Sequence, residues 1–252
     1  MNHIRSWLAL MVVLFTLGAC SQTVTPSLPT TTPASASINL DAETQARIQT
    51  AQRVVFLVPF SHWDTDWHEN YDAYVALSDR NILAAIQLAK QHPRFRYALE
   101  QVLFVQHFWD AHPEARADLV AAVQRRQITF AWAGITQPET SLVSPAIQIR
   151  NLQLGEDWIA QTFGREFIPH TAWQSDAFGT SAIFPTFLAQ ASIPYLYVGR
   201  GPGRCDPNDP SCKPLPQLFY WTSPAANARV LVANLAYPNA WDATHRIDNA
   251  ND

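Results

Sequence analysis

From Arg53 onward, short runs of consecutive apolar residues alternate with longer segments whose apolar residues recur at helical spacing. The first run, residues 54–60, is continuously apolar, which is typical of a strand buried on both faces of a parallel sheet. Residues 71–91 follow as a predicted helix that stops at His92-Pro93. Alternating strands and helices with short connections predict an α/β fold around a parallel sheet, either open or closed into a barrel.

The alternation continues to Leu235. Further strands are predicted at residues 95–100, 128–133, 170–175, 195–199, 218–222 and 229–235. Further helices are predicted at residues 102–111, 114–126, 145–163 and 181–190. Ligands bind at the carboxyl ends of strands in such folds. Five chemically versatile residues fall at or just beyond predicted strand ends: His62, Asp64, Glu100, Trp132 and Asp176.

The N-terminus has the pattern of an export signal. Residues 1–19 combine a short polar start with an apolar stretch too short to span a bilayer, and they end in Leu17-Gly18-Ala19 before Cys20. This resembles a bacterial lipobox and predicts that Cys20 becomes the lipidated first residue of an exported, membrane-anchored lipoprotein on the periplasmic or cell-surface face. A plain signal peptide is the alternative. Residues 20–40 are rich in Ser, Thr and Pro and predict a flexible tether before a domain at 41–252.

Cysteine usage and charge narrow the choices further. Cys205 and Cys212 flank a short polar loop, and in an exported protein this pair predicts a disulfide. Their spacing is not that of a CxxC metal site, and no second pair accompanies them.

The net charge of −4 argues against a nucleic acid or an anionic membrane surface as partner. The aromatic content of 12%, with 9 Trp, is high and is compatible with stacking on sugars.

The segment 61–67, Ser-His-Trp-Asp-Thr-Asp-Trp, comes directly after the first apolar run. Side chains at i and i+2 of an extended segment point the same way, so His62 and Asp64 can converge on one ion. Trp67 is close enough in sequence to wall the same pocket. A second segment, residues 173–179, again places a carboxylate, an aromatic residue and a glycine after a strand. Together they predict a metal-centred sugar site.

These segments resemble the N-terminal catalytic domain of glycoside hydrolase family 38, the α-mannosidases. The family's bacterial branch carries a His-Trp-Asp-x-x-Trp motif, matched here by residues 62–67. Two further motifs of the family, Trp-Gln-x-Asp-x-Phe-Gly and Phe/Tyr-x-Gly-Arg, are matched by residues 173–179 and 197–200. Residues 137–140 and 147–152 resemble the family's third βα unit. The resemblance runs from about residue 53 to residue 236. It implies a (β/α)7-type barrel with parallel strands and surrounding helices, and hydrolysis of terminal α-mannosidic bonds in glycans by a retaining mechanism.

The resemblance also implies roles for individual residues. His62, Asp64 and Asp176 become zinc ligands, and Asp176 is also the nucleophile. Trp67 would stack on the sugar, Phe178 would line its pocket, and Arg200 would bind near the substrate hydroxyls. The family's general acid and fourth metal ligand, a histidine, lie in a later segment, and residues 238–252 resemble neither. The barrel is therefore expected to be incomplete at its C-terminal end.

The same residues also have purely structural explanations. His62 could be hydrogen-bonded scaffolding, and Asp176 could cap the following helix. Trp132 could belong to the core or to the site. Glu100 could be a hydrogen-bonding group of the pocket or a buried ion-pair partner, and Arg200 could pair with an acid across the sheet.

Two other functions compete with the mannosidase interpretation. A polysaccharide deacetylase would use the metal to activate water and would need a second imidazole near the first, but no His-x-x-x-His pair accompanies His62. A non-catalytic carbohydrate-binding lipoprotein would use the aromatic residues and the metal without an acid.

Overall fold

The fold comes from a computed structural model that describes residues 41–54, 58–200, 211, 213, 215–223 and 228–235. The helices in these ranges are α1 (Ala42–Thr50), α2 (Tyr71–Gln91), α3 (Val102–Ala111), α4 (Arg116–Gln124), α5 (Pro145–Thr162) and α6 (Phe184–Gln190). The strands are β1 (Phe60–Ser61), β2 (Tyr97–Leu99), β3 (Ile128–Phe130), β4 (Thr171–Gln174), β5 (Tyr195–Val198), β6 (Leu218–Ser223) and β7 (Ala228–Asn234). Short 3-10 turns span Pro113–Ala115 and Arg165–Phe167.

The first three strands form a parallel sheet in the order β1-β2-β3. Their last residues are aligned, because Ser61 pairs with Leu99 and Leu99 pairs with Phe130. Helix α2 connects β1 to β2, and α3 and α4 connect β2 to β3. The residues that follow these strands therefore leave the sheet at the same edge.

The other four strands form a second sheet in the order β4-β5-β7-β6. β4, β5 and β7 are parallel, and their ends are aligned through the pairs Gln174–Val198 and Val198–Asn234. The two sheets are joined where Oγ1 of Thr171 donates a hydrogen bond of 2.6 Å to the carbonyl oxygen of Ala131. The carboxyl ends of β1, β2, β4 and β5 can therefore contribute side chains to one site.

The predicted α/β class with a parallel sheet is confirmed, but two details differ. β6 runs antiparallel to β7, so the expectation of parallel strands throughout is wrong there. Only four residues connect these strands, and a parallel crossover needs a dozen or more. In the part of the chain that the structure describes, the strands form two sheets and not one closed barrel.

The first predicted strand is shorter than expected. It comprises Phe60–Ser61, and residues 55–57 of the predicted run lie outside the described residues. Val58 is 53% exposed, so the expectation of a strand buried on both faces is wrong at this position. Its side chain lies along an open apolar groove shared with Trp173 and Leu218, which explains why an apolar residue here is not enclosed.

Local capping explains why the helices begin and end where they do. Asn70 accepts a hydrogen bond of 3.0 Å from the backbone N–H of Ala73 at the start of α2, and α2 ends before Pro93. Ser144 caps α5 at the N–H of Ile147, and Pro145 occupies its first turn. The bounds of α2 and α3 agree with the prediction, whereas the prediction did not include α1.

The main core lies between the helices and the two sheets. Its fully buried side chains include Phe108, Leu119, Ile128, Ile159 and Leu196. Trp132 also belongs to this core, and its indole N–H donates to the carbonyl oxygen of Thr136 at 3.1 Å. Of the helices in the described ranges, none is both long enough and apolar enough to cross a membrane.

Candidate active site

His62 and Asp64 leave the end of β1 on the same side, as the i, i+2 spacing predicted. Nε2 of His62 lies 3.8 Å from Oδ1 of Asp64. Trp63 points the other way and is buried against Tyr74, with ring centroids 6.2 Å apart. The amide of Gln101 donates to the carbonyl oxygen of Trp63 at 2.9 Å. Trp63 therefore anchors the loop and leaves its two polar neighbours facing the site.

Asp176 reaches the same imidazole from the second sheet. It follows β4 by two residues, and its Oδ2 lies 3.9 Å from Nε2 of His62. The side chain of Asp176 is 17% exposed and that of His62 is 11% exposed. The structure thus brings together the three residues expected to bind zinc, with Nε2 of His62 between two carboxylates.

Glu100, the residue after β2, holds the other side of the imidazole. Nδ1 of His62 donates to Oε2 of Glu100 at 2.6 Å, and the Glu100 side chain is only 1% exposed. The hydroxyl of Ser175 donates to Oε1 of the same carboxylate. Of the two sequence-based interpretations of Glu100, the structure therefore favours a buried partner of His62.

Ser175 connects this network to the chain after β4. Its Oγ lies 3.0 Å from Nδ1 of His62, and its backbone N–H donates to Oε1 of Gln137 at 2.9 Å. Sequence reasoning did not select Ser175 or Gln137, although both lie in segments that carry the family resemblance. Their available signal was position: Ser175 immediately precedes Asp176, and Gln137 begins the 137–140 segment.

The charges around His62 alter its proton affinity. Burial lowers the pKa of His62. Three opposing effects raise it and together prevail: the negative charge of Glu100, the hydrogen bond from Nδ1 to Glu100, and the negative charge of Asp64. The positive charge of Arg200 opposes them without reversing the result. The pKa of His62 is therefore raised above 6.5.

Arg200 and Phe178 border Asp176. Nε of Arg200 donates to Oδ1 of Asp176, and its guanidinium lies 5.0 Å from the ring centroid of Phe178. The Phe178 side chain is 78% exposed, while its backbone N–H donates to both oxygens of Glu139 at 3.1 Å. Phe178 is thus an exposed aromatic surface on an anchored loop. Arg200 pairs with an acid, as the structural alternative for this residue expected.

Trp67 is also exposed, with 59% of its surface accessible. Its ring lies against His68, with centroids 3.7 Å apart. Its backbone N–H donates to the carbonyl oxygen of Glu69 at 3.2 Å, which closes a tight turn after the His62–Asp64 segment. The indole is therefore accessible to a ligand approaching from solvent.

The three converging side chains have the chemistry of a zinc site but not its final spacing. Within the described ranges, no three His, Cys, Asp or Glu side chains lie close enough to hold a metal ion as placed. Two ligands of a tetrahedral zinc ion are about 3.4 Å apart, so the separations from Nε2 of His62 are too long by about half an ångström. Small side-chain rotations can close such a gap. One imidazole nitrogen and two carboxylates are ligands that suit zinc, so the residues fit this ion.

Three other predicted residues cannot be assessed in the structure. Cys20, the predicted lipidation site, lies outside the described residues. Cys205 and Cys212 do as well, so their disulfide stays a prediction.

Sequence similarity to known proteins identifies the family of this chain. Residues 52–250 match the description "Glycosyl hydrolases family 38 N-terminal domain". The chain is 26% identical over 148 residues to alpha-mannosidase F of Dictyostelium discoideum, covering 57% of this chain and 15% of that protein. It is 31% identical over 145 residues to the epididymis-specific alpha-mannosidase of Sus scrofa, covering 55% of this chain and 14% of that protein. The chain thus spans about a seventh of the length of these relatives.

The fold is similar to the crystal structure of an alpha-mannosidase from Enterococcus faecalis V583. The TM-score is 0.61 at 20% sequence identity, covering 72% of this chain and 20% of that one. A 4-alpha-glucanotransferase from Thermococcus litoralis is similar at a TM-score of 0.53 and 12% identity, covering 72% of this chain and 27% of that one. These likenesses concern the fold. Because the family match spans more than half of the chain, the chain belongs to the glycosyl hydrolase family 38 N-terminal domain family.

Proposed function

We propose that this chain supplies the metal-binding and sugar-binding part of an α-mannosidase that hydrolyses terminal α-mannosidic bonds in glycans with retention of configuration. Membership of glycosyl hydrolase family 38 supports this proposal. The observation that carries it is the placement of Nε2 of His62 between the carboxylates of Asp64 and Asp176. The lone pair on Nε2 is repelled by these two carboxylates, so the arrangement is favourable only when a proton or a metal cation lies between the nitrogen and the carboxylates.

His62, Asp64 and Asp176 would hold zinc through Nε2 and one oxygen of each carboxylate. Bound zinc would supply a positive charge that grips neighbouring hydroxyls of the sugar ring. Trp67 and Phe178 offer exposed aromatic faces at the same edge, and aromatic rings of this kind stack on the apolar faces of sugars. These residues would orient the terminal mannose before reaction.

Asp176 would act as the nucleophile of the retaining reaction. An oxygen of Asp176 forms a bond to the anomeric carbon while the glycosidic C–O bond breaks, and the leaving oxygen takes a proton from a general acid. Water then attacks the anomeric carbon of the glycosyl ester, gives a proton to the deprotonated general acid, and returns Asp176 to its carboxylate form. Nε of Arg200 donates a hydrogen bond to this carboxylate and holds it in place. The acid must lie about 5 Å from the nucleophile, and we assign it to no residue in the described ranges.

Activity of the zinc-loaded full chain on an aryl α-mannoside with a strongly acidic phenol as leaving group tests this proposal, because such a group departs without a general acid. We expect hydrolysis that Asp176→Asn abolishes, and retention can be read from the anomer first formed. Asp66→Asn is the matched control, because it removes the same charge from an exposed residue of the 61–67 segment and should leave turnover unchanged. Equal loss in both variants, or no turnover by the wild-type chain, would overturn the proposal. A wild-type chain that binds mannosides without cleaving them would identify a carbohydrate-binding protein instead.

We also propose that the two sheets belong to one (β/α)7-type barrel, of which residues 41–252 form a part. The hydrogen bond between Thr171 and Ala131 supports continuity between β3 and β4. The helices that alternate with parallel strands on either side of this junction agree with it. A crystal structure in which β3 and β4 are not neighbours would contradict this arrangement.

Export and lipid anchoring through Cys20 complete the proposal. They are supported by the sequence Leu17-Gly18-Ala19-Cys20, which follows a short apolar stretch. When the full chain is expressed in bacteria supplied with radiolabelled palmitate, we expect label in the membrane fraction. The label should be lost in Cys20→Ala and kept in Cys205→Ala. Labelling that survives Cys20→Ala would refute lipidation at this residue.

A further inference from the structure

We infer that Glu100 and Ser175 are positioning residues that prepare His62 to bind metal, by fixing both the tautomer and the orientation of its ring. This inference rests on the zinc site of the proposed function and deepens it. Both oxygens of Glu100 are engaged: Oε2 accepts from Nδ1 of His62 at 2.6 Å, and Oε1 accepts from the hydroxyl of Ser175. The carboxylate therefore has little freedom to rotate away.

The hydrogen bond at Nδ1 determines which nitrogen can serve as a ligand. A neutral imidazole carries one proton, so donation from Nδ1 to Glu100 leaves the lone pair on Nε2. Nε2 is the nitrogen that faces Asp64 and Asp176. Without Glu100, the ring would be free to place its proton on Nε2, and metal would then have to displace that proton.

Ser175 couples this arrangement to the second sheet. It donates to Glu100, lies 3.0 Å from Nδ1 of His62 and immediately precedes Asp176. Its backbone N–H is held by Gln137 at 2.9 Å. The same residue therefore fixes the partner of His62 and the stretch of chain that carries Asp176. Outer partners of this kind typically change metal affinity by about 10- to 100-fold when they are removed.

Zinc affinity, measured by competition with a chromophoric chelator on the full chain, tests this inference. We expect Glu100→Ala to weaken zinc binding by about 10- to 100-fold. Glu100→Gln should weaken it less, because the amide keeps an acceptor for Nδ1. Gln127→Ala is the matched control: it removes a buried side chain that bonds the carbonyl oxygen of Ala89 at the other end of the sheet, so zinc affinity should stay unchanged.

A second measurement does not depend on metal. In the 15N spectrum of the metal-free chain above the pKa of His62, we expect the proton on Nδ1 in the wild type. We expect it to shift towards Nε2 in Glu100→Ala and, to a smaller degree, in Ser175→Ala. The His62 signals are assigned by their loss in His62→Gln. If Glu100→Ala fails to fold, Ser175→Ala carries the same comparison.

The outcomes separate this inference from the proposed function. A wild-type chain that binds zinc, with equal affinity in the Glu100 and Gln127 variants, would overturn the positioning role and leave the zinc site standing. An unchanged tautomer in Glu100→Ala would overturn it as well. A wild-type chain that binds no zinc would overturn the metal site, and the positioning role with it.

Discussion

Gly199 lies at the end of β5, where the chain passes very close to the backbone of the site. A Cβ atom at this position would lie 2.1 Å from the carbonyl oxygen of Ser175 and 3.0 Å from its carbonyl carbon. The contacting atoms are backbone, so no side chain can rotate to make room. To lengthen this contact to 3.0 Å, the backbone segments at residues 199 and 175 must move apart by about 0.9 Å.

Gly199→Ala should therefore disturb both stability and the site. Overpacking of this kind costs about 1–3 kcal/mol, which for a chain of this size corresponds to a melting temperature lowered by roughly 2–12 °C. A shift of Ser175 also moves Asp176 and loosens the bond to Glu100. Because misplacement by about 1 Å can cost about 100-fold in rate, we expect the proposed mannosidase activity to fall by about that factor. Zinc affinity should fall with it.

Gly179→Ala is the matched control. It lies in the second site segment, but the atom nearest to its added Cβ is Oγ of Ser141 at 3.5 Å, an ordinary van der Waals distance. We expect its melting temperature and zinc affinity to stay at wild-type values, as followed by circular dichroism and chelator competition. The reasoning is refuted if Gly199→Ala matches the wild type in both measurements, or if the two alanine variants lose stability and affinity equally.

Three further predictions concern the scaffold. Burial raises the pKa of Tyr97 from 10.0 in the unfolded chain to about 12 in the folded chain. The stabilisation that comes from keeping this hydroxyl protonated is therefore complete below pH 10 and is lost as the pH rises through the folded-state pKa. Up to roughly 3 kcal/mol of stability is lost between pH 10 and about 12. Urea unfolding should show this loss in the wild type and a shallower one in Tyr97→Phe. Asn151→Ala should lower the free energy of unfolding by about 1–3 kcal/mol, because Asn151 holds both the backbone N–H and the carbonyl of Thr136; a change below 0.5 kcal/mol in urea titration would contradict this. Phe108→Ala removes a fully buried ring and should cost about 3–5 kcal/mol by the same assay, and unchanged stability would show that the ring is not a core element.

The helices were more predictable than the strands because their signals are local. Asn70 and Pro93 bracket α2 in the sequence, and the structure places its ends between them. The run at 54–60 is apolar enough for a buried strand, yet Val58 lies on an open groove. Whether an apolar side chain is enclosed depends on which other elements cover it, and composition carries no such information. The direction of β6 also depends on its neighbour, although the short connection to β7 was a usable signal.

The site was predictable where it depended on strand ends. The i, i+2 spacing placed His62 and Asp64 on one side, and the end of β4 placed Asp176 opposite them. The contacts of Glu100 and Ser175 could not be predicted in this way. They join residues 38 and 75 positions apart, and they form because β2 lies beside β1 and because the second sheet joins the first. Sheet order of this kind is a property of the whole fold.

The charge distribution links these separate observations. Glu100, Asp64 and Asp176 place three carboxylates around one imidazole, and like charges this close repel unless cations compensate them. In the metal-free chain, the negative charges raise the pKa of His62. The ion pair between Arg200 and Asp176 offsets part of the repulsion between the carboxylates. A divalent cation at Nε2 would relieve the same repulsion more completely, since it neutralises both facing carboxylates. The carboxylates that raise the pKa of His62 would therefore also favour a metal at this position.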